Sequence, residues 1–191
     1  NKIKKNKCLI EVKGKTLIEK IISDSSKYFK KINVITGFKS NLIKNKLRNY
    51  KEVRLINNKD YYKTEMLHSM ILGLKKVKDD VVISYSDILV SKKVWKIFEN
   101  VKKTEITLPI KTNWKEIWKI RHKEIYDDAE TLKINKKKYL DEIGQKIKKN
   151  KKIDGQFMGL MFIPKKIVSK IITIYEKNKL QKIQTTQFLN F

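Results

Sequence analysis

Apolar and polar positions switch between two periods along this chain, and the switches mark out its elements. Residues 7–12 read as a short extended segment, closed by a turn at Lys13 to Lys15 in which Gly14 is free to take positive φ. Thr16 then caps a helix, and Glu19 three residues on completes a capping box. Leu17, Ile18, Ile21 and Ile22 give that helix an apolar face running toward Phe29. Strands are expected at 32–36, ending at Gly37, and at 53–56, followed by the polar loop 57–60. Helices are expected at 41–47 and 66–77, the latter with Met70, Leu74 and Val77 at helical spacing. Val81, Val82 and Ile83 form a continuous β-branched run with polar residues on both sides, the pattern of a strand buried on both faces of a parallel sheet. A helix from about residue 91 to 101 follows.

Strand and helix therefore alternate through the first half, the signature of a parallel sheet with right-handed crossovers and hence of the α/β class. The second half is mixed. A strand is expected at 106–110, then an aromatic segment of weak periodicity holding Trp114, Trp118 and Arg121. Residues 132–134 and 139–144 read as short strands around a turn, and 155–163 as one strong strand bounded by Pro164. Residues 167–175 read as a helix, and a last helix begins at Thr185. No internal repeat or linker interrupts the chain, which reads as one domain over 1–191.

Composition narrows the class. A content of 40% hydrophobic residues supports a real core, and no run of about 18 apolar residues suggests a membrane span. Residues 1–7 are polar but for Ile3, with no apolar segment of the right kind behind them, so no secretory leader is expected and a cytoplasmic setting is the expectation. Cys8 is the only cysteine, which excludes an internal disulfide, and with two histidines it cannot build a zinc cluster. The formal net charge is +26, yet among 46 basic residues only Arg48, Arg54 and Arg121 are arginines. Nucleic-acid surfaces favour arginine for bidentate contacts. Lysine spread along the whole chain, including the run from Lys146 to Lys152, reads as solvated surface and argues against nucleic acid as the partner.

Asp87 carries the chemistry. It lies just past the carboxyl end of the 81–83 strand, where open α/β sheets bind their ligands, and an oxygen ligand there can hold a divalent cation. The other reading is that Asp87 caps the helix after Ser91 or only ends the strand. Thr64 and Ser69 precede that strand, as hydroxyls able to read a base or ribose or as helix caps. Trp114 and Trp118, four apart, are either an aromatic wall for a quaternary ammonium or simple packing. His68 and His122 have no evident partner and read as surface or loop residues.

Residues 6–19, with Lys7 before Leu9 and Gly14 before Leu17-Ile18-Glu19, resemble the Pro-Lys-x-Leu…Gly-x-x-Leu-Ile-Glu signature of the sugar-phosphate nucleotidyltransferases. Ile35-Thr36-Gly37-Phe38 is similar to their second strand. Asn57, Tyr61, Thr64 and Ser69 match a pattern of the choline-phosphate cytidylyltransferase-like branch, as does Ile83-Ser84-Tyr85-Ser86-Asp87-Ile88. Asn113-Trp114, Trp118, Arg121, residues 128–131, Ile143-Gly144 and residues 153–160 continue the match in order. The chain departs from the family at Asn6, where proline is usual, and at Ser86, where glycine is usual. Nothing corresponds to the family's opening strand and Gly-rich loop, or to its second metal-binding Asp. The chain is therefore expected to be the middle of a catalytic domain, ending at Phe191 inside an amphipathic helix.

The resemblance implies a Rossmann-like three-layer α/β/α fold with a mainly parallel sheet, residues 1–103 forming a nucleotide-binding half and 104–191 an acceptor-binding half. It implies a magnesium-dependent transfer of a nucleoside monophosphate, CMP from CTP above all, to a small phosphorylated acceptor such as phosphocholine or a sugar phosphate. Asp87 would hold Mg2+ and Lys7 would contact a phosphate. Gly37, Asn57, Thr64, Ser69 and Tyr85 would bind nucleotide, and Trp114, Arg121, Glu130 and Gln156 the acceptor. A function of a different class stays open on composition: a basic Rossmann-like module that binds RNA or polyphosphate without turnover.

Overall fold

A computed structural model describes residues 6–147 and 152–190. The chain begins with a 3-10 turn at Lys7–Leu9, then β1 (Glu11–Val12) and β2 (Lys15–Thr16) pair as a small hairpin. Lys13 and Gly14 make its turn with φ of 53° and 75°. The capping box forms as expected: Glu19 N donates to Thr16 Oγ1, and Thr16 N donates back to the Glu19 carboxylate at 2.9 Å. It starts α1 (Leu17–Ser25), whose Ile18 and Ile22 are buried. Next come β3 (Ile32–Thr36), α2 (Ser40–Leu47), β4 (Val53–Asn57), α3 (Met66–Leu74), β5 (Val81–Ser84) and α4 (Lys92–Ile97). The second half holds β6 (Ile110–Lys111), α5 (Trp114–Arg121), β7 (Glu130–Ile134), β8 (Leu140–Lys146), β9 (Gln156–Phe157), β10 (Leu160–Ile163), α6 (Lys165–Lys177) and α7 (Thr185–Phe188).

Strand pairing is more mixed than the alternation of elements suggested. β3 and β4 pair in parallel, with Ile32 opposite Val53 and Thr36 opposite Asn57. β5 instead pairs antiparallel with β10, Val81 opposite Ile163 and Ser84 opposite Leu160. The remaining ladders, β6 with β9 and β7 with β8, are also antiparallel. Antiparallel pairing of β5 with β10 stitches the second half of the chain to the first.

The period-2 rule then places the layers. Met161 and Ile163 point to one face of β10 and pack with Leu67, Ile71 and Leu74 of α3 and Val168 and Ile171 of α6. Leu160 and Phe162 point to the other face and pack with Trp95 and Phe98 at α4. β10 is thus buried on both sides between helices, as a three-layer α/β fold requires. A further cluster of Cys8, Ile18, Ile22, Ile43 and Leu47 seats α1 and α2 against β3 and β4. Each fully buried Ile or Leu in these layers contributes about 1.5–3 kcal/mol.

Three expected elements come out differently. The strand at 155–163 is two strands, because Gly159 takes φ of 71° between them and redirects the chain from β6 to β5. The strand at 106–110 is reduced to β6 and a single bridge, Thr107 with Phe162. The aromatic segment of weak periodicity is the helix α5. Most of the basic run at 146–152 and the terminal Phe191 lie outside the described residues. Among those described, no helix is long and apolar enough to cross a membrane.

Candidate active site

β5 ends at Ser84, and the chain then turns outward. Tyr85 N donates to Gly159 O at 2.9 Å, which extends the β5–β10 ladder by one bond and holds the strand end. Two residues later Asp87 emerges into solvent. Its Oδ2 lies 3.7 Å from Lys7 Nζ, with side chains 37% and 79% exposed. Lys7 is held there by its neighbours. Cys8 is buried in the cluster under α1, and Asn6 Nδ2 donates to Phe38 O at 3.1 Å, at the end of β3. Burial pushes the Cys8 thiol above its ordinary value, so Cys8 is a packing residue rather than a thiolate nucleophile.

Magnesium takes one or two protein carboxylates and otherwise keeps water and phosphate oxygens. Asp87 offers one such carboxylate, exposed and only loosely paired. Among the described residues no group of three His, Cys, Asp or Glu side chains gathers to hold a metal. The donor set therefore suits a phosphate-bound Mg2+ and no closed metal cage.

The expected nucleotide residues divide into two kinds. Gly37 and Asn57 border an open cleft of about 400 Å³ at the carboxyl ends of β3 and β4. Thr64 and Ser69 serve the loop itself. Asn58, only 2% exposed, donates from Nδ2 to Thr64 Oγ1 at 3.2 Å and to Ser69 Oγ at 3.1 Å. Its Oδ1 accepts from Asp60 N at 2.9 Å, and its own N donates to Thr36 O at 2.7 Å. Sequence reasoning passed over Asn58, although an asparagine side chain that bonds the backbone two residues on is a known turn former.

A second cluster lies on the other side of Tyr85. Glu130 and Gln156 grip each other through the backbone: Glu130 N donates to Gln156 Oε1 at 3.1 Å, and Gln156 Nε2 donates to Glu130 O at 2.6 Å. Thr186 Oγ1 donates to Glu130 Oε1 at 3.3 Å. Desolvation raises the Glu130 carboxyl above its usual range, against the pull of the Thr186 hydroxyl, and nearby Asp128 adds to the rise. Desolvation also raises the Tyr85 phenol, opposed by its hydrogen bond with Thr185. The structure thus brings Glu130, Gln156 and Tyr85 together, along with Thr185 and Thr186, which no sequence motif had singled out.

Trp114 and Arg121 are engaged by aromatic neighbours. Trp114 is 1% exposed, with Trp118 edge-on at 5.9 Å and Tyr126 at 6.2 Å, so its ring is core and offers no face to a ligand. The Arg121 guanidinium lies over Trp118, 5.5 Å from the ring centroid. His68 is also better partnered than expected. His68 Nδ1 is 2.5 Å from the Tyr175 hydroxyl, joining α3 to α6. His122 Nε2 is 3.4 Å from Asp128 Oδ2, without the alignment of a hydrogen bond.

Known relatives identify the family of the chain. The profile of the MobA-like NTP transferase domain matches residues 1–148. A CTP:phosphoglutamine cytidylyltransferase of Campylobacter jejuni is 30% identical over 177 residues, covering 89% of this chain and 69% of the relative. The inositol-1-phosphate CTP transferase from T. maritima superposes with a TM-score of 0.73 at 15% identity, over 96% of this chain and 71% of that one. The CTP:phosphocholine cytidylyltransferase from Streptococcus pneumoniae does so with a TM-score of 0.58 at 16% identity, over 96% and 74%. The structural likenesses establish the Rossmann-like nucleotidyltransferase fold, and with the profile and the sequence relative they place the chain: it belongs to the MobA-like NTP transferase family of nucleotidyltransferases.

Proposed function

We propose that this protein transfers a cytidylyl group from CTP to a small phosphorylated acceptor, with Mg2+ held at Asp87. The observation that carries the reading is the meeting of Lys7 and Asp87 at the carboxyl end of β5. A phosphate oxygen of the acceptor attacks the α-phosphorus of CTP in line. The new O–P bond forms as the bond from the α-phosphorus to the bridging oxygen breaks, and pyrophosphate leaves with that electron pair. Such a transfer needs positioning and charge neutralisation more than covalent help from the protein. Lys7 supplies a point charge to a phosphate. Asp87 would hold the magnesium, which would supply neutralisation of the phosphate charge. Glu130, Gln156 and Tyr85 form the acceptor side.

The sequence relative supports CTP as the donor, since its name specifies that nucleotide. The burial of Trp114 withdraws one of the supports for phosphocholine as the acceptor and leaves the acceptor open. A phosphorylated amide, phosphocholine, inositol 1-phosphate and sugar 1-phosphates form the panel to test with CTP and Mg2+, reading pyrophosphate release. Turnover with at least one acceptor is expected. No pyrophosphate with any acceptor, together with binding of RNA or polyphosphate, would replace this reading with the non-catalytic one.

A further inference from the structure

α7 carries two consecutive threonines, Thr185 and Thr186, which are 2% and 6% exposed. We propose that they are positioning residues for the transfer reaction: from one turn of helix, Thr185 fixes Tyr85 and Thr186 fixes Glu130. The proposal rests on the nucleotidyltransferase reading and gives a role in it to residues that act through others.

Packing alone does not call for threonine here. A buried hydroxyl costs free energy unless it is hydrogen-bonded, and valine has nearly the same shape without that demand. Each threonine spends its hydroxyl on a different group of the cleft. Thr186 Oγ1 donates to Glu130 Oε1 at 3.3 Å, and the Thr185 side chain is hydrogen-bonded to the Tyr85 phenol. Successive residues of a helix point about 100° apart, so a single turn can serve two groups on different sides. β-branching leaves each threonine few side-chain rotamers, which presets the direction of its hydroxyl.

α7 is itself anchored before, within and after its four residues. Gln184 Nε2 donates to the Glu65 carboxylate, and Gln181 O accepts from Glu65 N at 2.9 Å. Phe188 lies in the core cluster with Leu67 and Met70 of α3. Asn190 donates to Ile143 O at 2.7 Å and accepts from Ile143 N at 3.3 Å, which ties the end of the helix to β8. The neighbouring Gly144 lets Thr186 approach, since a Cβ there would sit 2.9 Å from Thr186 Oγ1. Hydroxyls on so fixed a base lose little freedom when they hold another side chain.

The two threonines act differently. The Tyr85 ring lies on Gly159, where a Cβ would sit 3.0 Å from its Cδ2, and edge-on to Phe157 at 5.9 Å. Thr185 fixes the far end of the same side chain. Tyr85 stands two residues before Asp87, so holding it steadies the strand end that presents Asp87. Thr186 acts on charge, because a hydroxyl that donates to a carboxylate favours the ionised form. At Glu130 this opposes desolvation and the nearby Asp128, and Tyr85 is the other titratable group whose ionisation is coupled to it.

Steady-state kinetics with CTP, Mg2+ and the acceptor of the panel above that turns over fastest test the roles, beside a carbon-13 NMR titration of the Glu130 carboxyl assigned by Glu130→Gln. Thr186→Val is expected to move the Glu130 titration to higher pH and to raise the acceptor KM about 10-fold, the scale of one lost hydrogen bond to a charged group, with the CTP KM unchanged. Thr185→Val is expected to lower kcat about 10-fold, and to lower it no further in a Tyr85→Phe background, because the two substitutions break the same bond. Thr185→Ser and Thr186→Ser keep the hydroxyls and should behave like the wild type. If a valine variant fails to fold, the alanine variant carries the same expectation. Valine variants with unchanged kinetics and an unmoved Glu130 titration, or serine variants as impaired as the valine ones, overturn the proposal and spare the enzymatic reading. A wild type without turnover on any acceptor, with the Glu130 titration still moved by Thr186→Val, overturns the enzymatic reading and leaves the hold of Thr186 on Glu130 standing.

Discussion

Lys7 Nζ stands 3.7 Å from Asp87 Oδ2, joining the first turn of the chain to the end of β5. The pair is open to water, with Lys7 79% exposed, and exposed pairs add little to stability. A loose pair is easily exchanged: a phosphate can take the lysine and a cation the carboxylate. The arrangement is better understood as two charges kept ready than as a structural clamp.

Asp87→Asn preserves shape and removes the charge. Pyrophosphate release should fall at least ~100-fold, because a positioned metal contributes several kcal/mol of transition-state stabilisation. The melting temperature should hardly move, since the lost pair is exposed. Lys7→Ala should raise KM for CTP with a smaller loss of kcat, because a wet point charge is partly screened. Near-normal turnover by Asp87→Asn would remove Asp87 from the reaction.

Glu130 gives a pH signature. Its folded-state pKa is raised above the ordinary 4.5, so the folded protein holds the proton more tightly than the unfolded chain. That contribution is complete below about pH 4.5 and is lost as pH rises through the folded value. Above the folded value the wild type carries a desolvated charge that Glu130→Gln lacks. Thermal melts should show the variant gaining most on the wild type at pH 8, with the difference shrinking as pH falls toward 4. A difference independent of pH would mean that the carboxylate is well solvated.

Gly144 should not tolerate a side chain. It takes φ of 77° in β8, and a Cβ there would sit 2.8 Å from the backbone carbon of Thr186. Gly144→Ala must strain its own backbone and push α7 away, taking the Thr186 hydroxyl from Glu130. A loss of about 1–3 kcal/mol is expected in urea unfolding. An acceptor KM that rises before the CTP KM would follow from the same displacement. A loss below about 0.5 kcal/mol, the range of ordinary surface changes, would show that α7 yields freely.

Much of this was legible in the sequence because it depends on neighbours a few residues away. The Thr16–Glu19 capping box spans a single turn, and the strand at 32–36 appears with the expected bounds because its apolar run is bounded by polar residues and Gly37. Asp87 could be placed past a strand end for the same reason: a β-branched run followed by polar residues marks its own boundary. Tertiary structure decided what depends on distant partners. A strand's periodicity says nothing of its neighbour's direction, and β5 runs antiparallel to β10 because residues 160–163 supply an apolar strand buried between α3, α6 and α4. Tryptophan at helical spacing suits a wall or a core equally, and the rings of Trp118 and Tyr126 closed over Trp114. The hydroxyls of Thr64 and Ser69 went to Asn58 because a buried amide must find partners, and the folded loop brought those two within its reach.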